Sequence, residues 1–71
     1  MADGTFFTVV VGGTVLDSHE SIDGEGTALQ RAIASAEALA RSGETAEVYR
    51  NEPAGEIGRA GPQLVHTARG G

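Results

Sequence analysis

Residues 5–19 read TFFTVVVGGTVLDSH, and this stretch decides the fold. Two runs rich in β-branched and aromatic residues, which favour strands, flank a pair of glycines. The turn of a two-residue β-hairpin needs positive φ angles, which glycine adopts without strain. The sequence therefore predicts antiparallel strands over 5–11 and 14–19, joined by a tight turn at Gly12 and Gly13.

A two-residue turn also fixes which residues of the hairpin face each other. Regular pairing sets Val10 opposite Val15, Val9 opposite Leu16, and Phe6 opposite His19. Because strand side chains alternate between the two faces, each face has its own set of residues. One predicted face has Phe7, Val9, Val11 and Leu16, and the other has Phe6, Val10 and Val15 beside Thr8, Asp17 and His19.

The next element is an alanine-rich helix. Thr27 and Gln30 have the spacing of a capping box, so a helix is predicted over 28–42, with Gly43 in the position of a left-handed C-terminal cap. Residues at helical spacing form one apolar stripe. Its members are Leu29, Ala32, Ile33, Ala36, Leu39 and Ala40. We expect this stripe to pack on the hairpin face that contains Phe7.

The rest of the chain predicts a second pair of strands. Residues 45–50 alternate as a strand, 51–55 have turn chemistry, and 56–59 form a short returning strand. The sequence does not decide whether residues 63–67 form a fifth strand. The predicted class is α+β: a single domain, 1–71, with two-layer ββαββ architecture, an antiparallel sheet and one helix packed on one face. Residues 1–4 and 68–71 are predicted to be flexible tails.

One helix covers only one face of such a sheet, which leaves the second face as a candidate partner interface. The predicted interface residues are Phe6, Val10, Val15 and His19. Exposed contiguous apolar surface is typical of interaction sites, so we expect a homodimer or another protein as partner, through this face or through an open strand edge. The alternative is that a few scattered surface valines and one phenylalanine are ordinary.

Charge and composition exclude some classes of binding partner. The net charge is −5, and residues 1–26 contain five acidic residues and no basic one. Such a surface repels phosphate, so no nucleic-acid partner is expected. There is no cysteine, no apolar run long enough for a membrane span and no targeting segment, so we expect a cytoplasmic protein without a membrane partner.

No motif predicts catalysis, a metal or a cofactor. The acidic residues over 17–25 lack the spacing of a calcium loop. Ser18, His19 and Glu20 are neighbours on a strand and point to alternate faces, so they cannot form a relay. No glycine-rich segment has the Gly-Lys-Ser/Thr ending of a phosphate loop. We therefore expect a non-enzymatic binding or regulatory module with no catalytic residue, metal or cofactor.

The end of the sequence, Ala68-Arg69-Gly70-Gly71, resembles the Arg-Gly-Gly end of ubiquitin and the Gly-Gly end of the small sulfur carriers. The element order also resembles that of the β-grasp fold. This resemblance implies an alternative function, a modifier or sulfur carrier conjugated through Arg69, Gly70 and Gly71.

A looser resemblance covers residues 7–58. The strand Thr8-Val9-Val10-Val11, the alanine-spaced helix and the strand that contains Tyr49 are similar to small strand-strand-helix-strand-strand proteins of unknown function from actinobacteria and their phages. That resemblance implies a compact interaction module.

Overall fold

The computed structural model describes residues 4–52 and 62–70. They form one four-stranded sheet and one helix, which confirms the α+β class. The elements are β1 Phe6–Val11, β2 Thr14–Glu20, α1 Glu25–Ala40, β3 Thr45–Asn51 and β4 Gln63–Arg69. The strand order is β2-β1-β3-β4 with every neighbouring pair antiparallel, so β2 and β4 are the two edges. Helix α1 contacts all four strands.

The β1–β2 hairpin has the predicted turn. Gly12 and Gly13 have φ angles of 60° and 83°, as a turn with two positive φ angles requires. Val10 pairs with Val15, also as predicted.

Beyond this pair the predicted register is wrong, because β2 contains a β-bulge. Leu16 has no partner, so Val9 pairs with Asp17, and His19 pairs with Phe7 instead of Phe6. The shift of one residue exchanges the faces of the side chains that follow. Leu16, predicted in the core, is 53% exposed.

Helix α1 begins earlier than the capping box predicts. Gly24, with a φ of 110°, is the N-cap residue and provides no side-chain hydrogen bond, while Thr27 lies exposed inside the first turns. Glu25 starts the helix because a carboxylate is favourable at the positive end of the helix dipole and because it bonds Arg50 of β3. At the other end, Gly43 has the predicted positive φ and donates its N–H to the Ala40 carbonyl.

The core between helix and sheet consists mainly of small side chains. Every fourth helix residue is a buried alanine, and the sheet contributes valine, phenylalanine and alanine. The buried apolar residues are Phe7, Val9, Ala28, Ala32, Ala36, Ala40, Ala46, Val48 and Ala68. Leu29 and Leu39 are partly buried and pack against this core, and Ile33 is also partly buried. Alanine lets the helix approach the sheet closely, so the core has little space for larger side chains.

Strand β4 occupies the place of the possible fifth strand. It pairs with β3 and runs through Arg69, so it includes two of the four residues that we assigned to a tail. Ala68 is only 4% exposed. The predicted strand over 56–59 and the end of the predicted turn lie outside the described residues, as do residues 1–3 and 71.

Gly70 is packed against the loop that follows α1. Its N–H donates to the Glu44 carbonyl at 3.1 Å, and a Cβ at this position would collide with the Ala40 carbonyl oxygen. We expect Gly70→Ala to lower the free energy of unfolding by about 2 kcal/mol, since the obstacle is backbone and cannot rotate away.

Gly26 provides the opposite case, because it lies in the first turn of α1 and a Cβ added there would meet no atom within 4 Å. Gly26→Ala should raise the free energy of unfolding by about 0.5–1 kcal/mol through helix propensity. Urea unfolding of both variants checks this, and equal effects of the two substitutions would contradict the packing at Gly70.

Candidate functional site

The face of the sheet that points away from α1, called here the open face, is the candidate site. Phe7, Val9 and Val48 are buried under the helix, so their strand neighbours point to the other side. No element among residues 4–52 and 62–70 packs on this side. Its paired apolar side chains are Phe6, Val10, Val15, Tyr49 and Leu64, and two exposed bulge residues, Leu16 and Val65, lie at its edges.

The bulge in β2 adds an exposed apolar residue at one edge of the open face. Val10 pairs with Val15, and Leu16 is inserted as an unpaired residue between Val15 and Asp17. The side chains of Val15 and Leu16 are both more than half exposed, at 57% and 53%. The bulge therefore places two adjacent apolar side chains at this edge.

A second bulge, in β4, does the same at the opposite edge. Val48 pairs with His66 and Tyr49 with Leu64, which leaves Val65 without a partner. Tyr49 and its partner Leu64 lie on the open face, and Val65 is inserted next to Leu64 in the edge strand. Their exposed fractions are 52% and 41%. Both edges of the open face therefore end in an exposed apolar pair.

Polar groups lie between these apolar side chains. The Tyr49 hydroxyl donates to Glu47 Oε1 at 2.9 Å, and this bond to a carboxylate raises the pKa of Tyr49. Asn51 Nδ2 donates to Thr8 Oγ1 at 3.2 Å across the β1–β3 pair. The first bond lies within β3, and the second joins β3 to β1.

Asp17 lies on the helix side of β2. Its Oδ2 accepts a hydrogen bond from Ser35 Oγ at 2.8 Å and lies 2.9 Å from His19 Nε2. The Ser35 bond is the largest cause that lowers the pKa of Asp17, and the Ser18 N–H and His19 add to it against the effect of burial. In a hydrolytic relay the histidine bridges serine and carboxylate, whereas here the carboxylate bridges the other two. The cluster joins β2 to α1.

Ser35→Ala should raise the pKa of Asp17 toward its ordinary value, because it removes that largest cause. A carboxylate whose pKa is lowered by folding stabilises the fold above its unfolded pKa, and this contribution is lost as pH falls through the folded pKa. We therefore expect the variant to be less stable than the wild type at neutral pH, with the difference shrinking in acid.

Carbon-detected NMR titration of the Asp17 carboxyl checks the pKa, and urea unfolding from neutral to acidic pH checks the stability. Ser42→Ala is the matched control, because that hydroxyl donates to the Leu39 carbonyl and does not contact Asp17. An unchanged Asp17 titration in the Ser35 variant would contradict the assignment.

The remaining charged side chains mostly form ion pairs on the helix side. Arg50 Nη2 lies 2.7 Å from Glu25 Oε2 and also bonds Glu52, and these two carboxylates raise the pKa of Arg50. His66 Nε2 lies 3.2 Å from Glu37 Oε2. The pairs connect β3 and β4 to the helix and leave the open face with few charges.

The described residues contain no group of three His, Asp or Glu side chains that could hold a metal ion. Glu25, one of the acidic residues considered for calcium, is bonded to Arg50, and Asp23 lies 3.8 Å from Arg31. Within residues 4–52 and 62–70, no helix has the length and apolar character that crossing a membrane requires.

Three of the four predicted interface residues lie together. Phe6, Val10 and Val15 are on the open face, whereas His19 is on the helix side because of the bulge in β2. Residues that were not predicted at this face are Leu16, Tyr49, Leu64 and Val65. Alternation with the buried Val48 identifies Tyr49 from sequence, but no local signal identifies the bulges.

Of the residues considered for conjugation, Arg69 ends β4, Gly70 is packed against the loop after α1, and Gly71 lies outside the described residues. Comparison with known proteins finds no matching family model, curated protein or solved structure. The function is therefore inferred from the chain's own surface.

Proposed function

We propose that this protein is a non-enzymatic binding module that self-associates through the open face. The observation that supports it is a sheet face that no described element covers, with five apolar side chains on it and two exposed apolar bulge residues at its edges. Contiguous exposed apolar surface on a small domain is typical of interaction sites. A second copy of the chain provides a surface of the same kind.

The size of the open face agrees with a weak to moderate dimer. The four strands are six or seven residues long. With a spacing of about 4.8 Å and a rise of about 3.3 Å per residue, they give a projected area of about 430 Å². Two copies would together bury about 900 Å² of projected area, and uneven side chains add to this value. The total is close to the ~1,000 Å² that a specific interface buries. Burial of this apolar surface would also supplement a core made largely of alanine.

The strand edges are less suited to association than the face. Adding a strand to a sheet requires an uninterrupted row of free N–H and C=O groups at the edge. Both edge strands have a bulge, at Leu16 and at Val65, that disrupts this row. We therefore place the interface on the face.

The same surface could receive a different protein, and the acidic first third would then favour a partner with a basic patch. The modifier alternative has no specific support, because packing against Ala40 and Glu44 is itself a reason for glycine at position 70.

Sedimentation equilibrium over a concentration series tests the proposal. We expect reversible dimerisation of the wild type and at least a tenfold weaker association of Phe6→Ser, because the substitution replaces a large apolar contact with a polar one. Ala38→Ser, on the exposed side of α1, is the matched control and should associate like the wild type. A wild type that stays monomeric at millimolar concentration would overturn self-association.

A further inference from the structure

The open face has opposite charges at two diagonal corners. Glu20 is at the end of edge strand β2, where it pairs with Phe6, and Arg69 is at the end of edge strand β4, where it pairs with Thr45. Phe6 pairs with Asn51, the last residue of β3, whereas Thr45 is the first residue of β3. Three strand spacings and six residues along the strands therefore separate the two charges, about 25 Å in all.

Both charged side chains are exposed and available. Neither Glu20 nor Arg69 forms an ion pair with another described residue. The other acidic residue on the open face is Glu47, whose carboxylate accepts the Tyr49 hydroxyl. The corner charges are thus the ones that a facing surface would meet.

An apolar band crosses the open face along the other diagonal. It begins with Val15 and Leu16 at the β2 edge, continues through Val10 and Tyr49, and ends with Leu64 and Val65 at the β4 edge. Consider the line in the plane of the sheet that is equally distant from the two corner charges. With ordinary strand spacing and rise per residue, each residue of the band lies within about 3 Å of this line. The band therefore separates the acidic corner from the basic one.

This pattern is self-complementary under a two-fold axis. We propose that two copies pack open face to open face about an axis that runs along the apolar band, a geometry that rests on the proposed self-association. In such an isologous interface, a residue on the axis contacts the same residue of the second copy. A residue off the axis contacts the residue that lies at the mirrored position across the axis in the second copy. The bands would pack on each other, and each Glu20 would meet the partner copy's Arg69.

Glu47 also fits this arrangement. Reflection across the band places Glu47 over Thr8 of the second copy, so no two carboxylates face each other. Packed sheets lie about 10 Å apart, a distance that glutamate and arginine side chains span together. The strands of the two sheets would cross at roughly 70°, near the orthogonal class of sheet packing.

Charge reversal tests the geometry in the full chain. In Glu20→Arg two arginines would face each other at both ends of the dimer, and in Arg69→Glu two glutamates would. We expect each single reversal to weaken dimerisation at least tenfold at low salt, and the double variant to return to within about threefold of the wild type.

The matched controls are Glu44→Arg and Arg41→Glu, exposed residues at the end of α1 and in the loop after it that make the same changes in net charge. Net charge alone would make Glu20→Arg dimerise more tightly, because it reduces the −5 on each chain. The inference predicts the opposite.

The outcomes separate this inference from the proposed function. If the wild type dimerises and Phe6→Ser weakens the dimer, but the reversals behave like their controls, the diagonal geometry is wrong and the open-face interface stands. If single reversals weaken the dimer and the double variant does not recover, the Glu20–Arg69 pairing is likewise overturned. A monomeric wild type overturns both.

Discussion

Ala36→Leu should lower the free energy of unfolding by about 3 kcal/mol, because the added atoms have no space between helix and sheet. Ala36 is fully buried, on the side of α1 that faces the sheet. The helix must either move away from the sheet or force the new side chain into a strained rotamer. A 71-residue domain has a total stability of about 4–10 kcal/mol, so much of it would be lost.

Thermal unfolding at fixed protein concentration measures this effect. For a domain of this size, 3 kcal/mol corresponds to a fall in Tm of about 12–24 °C. Ala34→Leu is the matched control, since it places the same side chain on the exposed side of the same helix and should change Tm little. Equal Tm values for the two variants would mean that the alanine stripe does not set the helix–sheet distance.

Val48→Asp should unfold the domain. Val48 is fully buried at the centre of β3, where it pairs with the equally buried Val9 and with His66. A carboxylate placed there would be desolvated between the sheet and the helix, at a cost of several kcal/mol. That cost is comparable with the whole stability of a domain of this size.

Circular dichroism and the dispersion of the amide NMR spectrum would show the loss of structure. Ile22→Asp is the control, because Ile22 is 81% exposed and the substitution adds the same charge without burial. A Val48 variant with a native spectrum at neutral pH would contradict the placement of the core.

Local sequence signals were sufficient for most of the fold. The Gly12-Gly13 turn, the strand content of the hairpin, the alanine-rich helix and the glycine after it follow from preferences of adjacent residues. The start of α1 was predicted three residues too late. The reason is that Glu25 is held by Arg50, which is 25 residues away in sequence.

The register of β2 was not predictable from alternation alone. Regular pairing would set Leu16 toward the helix near Ser35 and turn Asp17 to the open face, away from the hydroxyl whose hydrogen bond it now accepts. The bulge keeps Asp17 on the helix side, where it accepts that bond, and the bond involves a residue 18 positions away in sequence. For the same reason His19 was assigned to the wrong face.

The candidate site was therefore predicted in part. Phe6 and Val10 share a face because they lie on the regular strand β1. Val15 lies on the same face because it precedes the bulge in β2 and pairs with Val10. The second half of the apolar band, at Leu64 and Val65, depends on the pairing of β4 with β3 and on its bulge. Pairing between strands that are far apart in sequence has no local signal.

The most direct test of the open-face interface is a dilution series of amide NMR spectra of the wild type. Association through the open face predicts concentration-dependent shifts at Val10, Tyr49 and Leu64, with none at Arg31 and Ala34 on the outer side of α1. Spectra that are identical at all concentrations, or shifts confined to the helix, would contradict it.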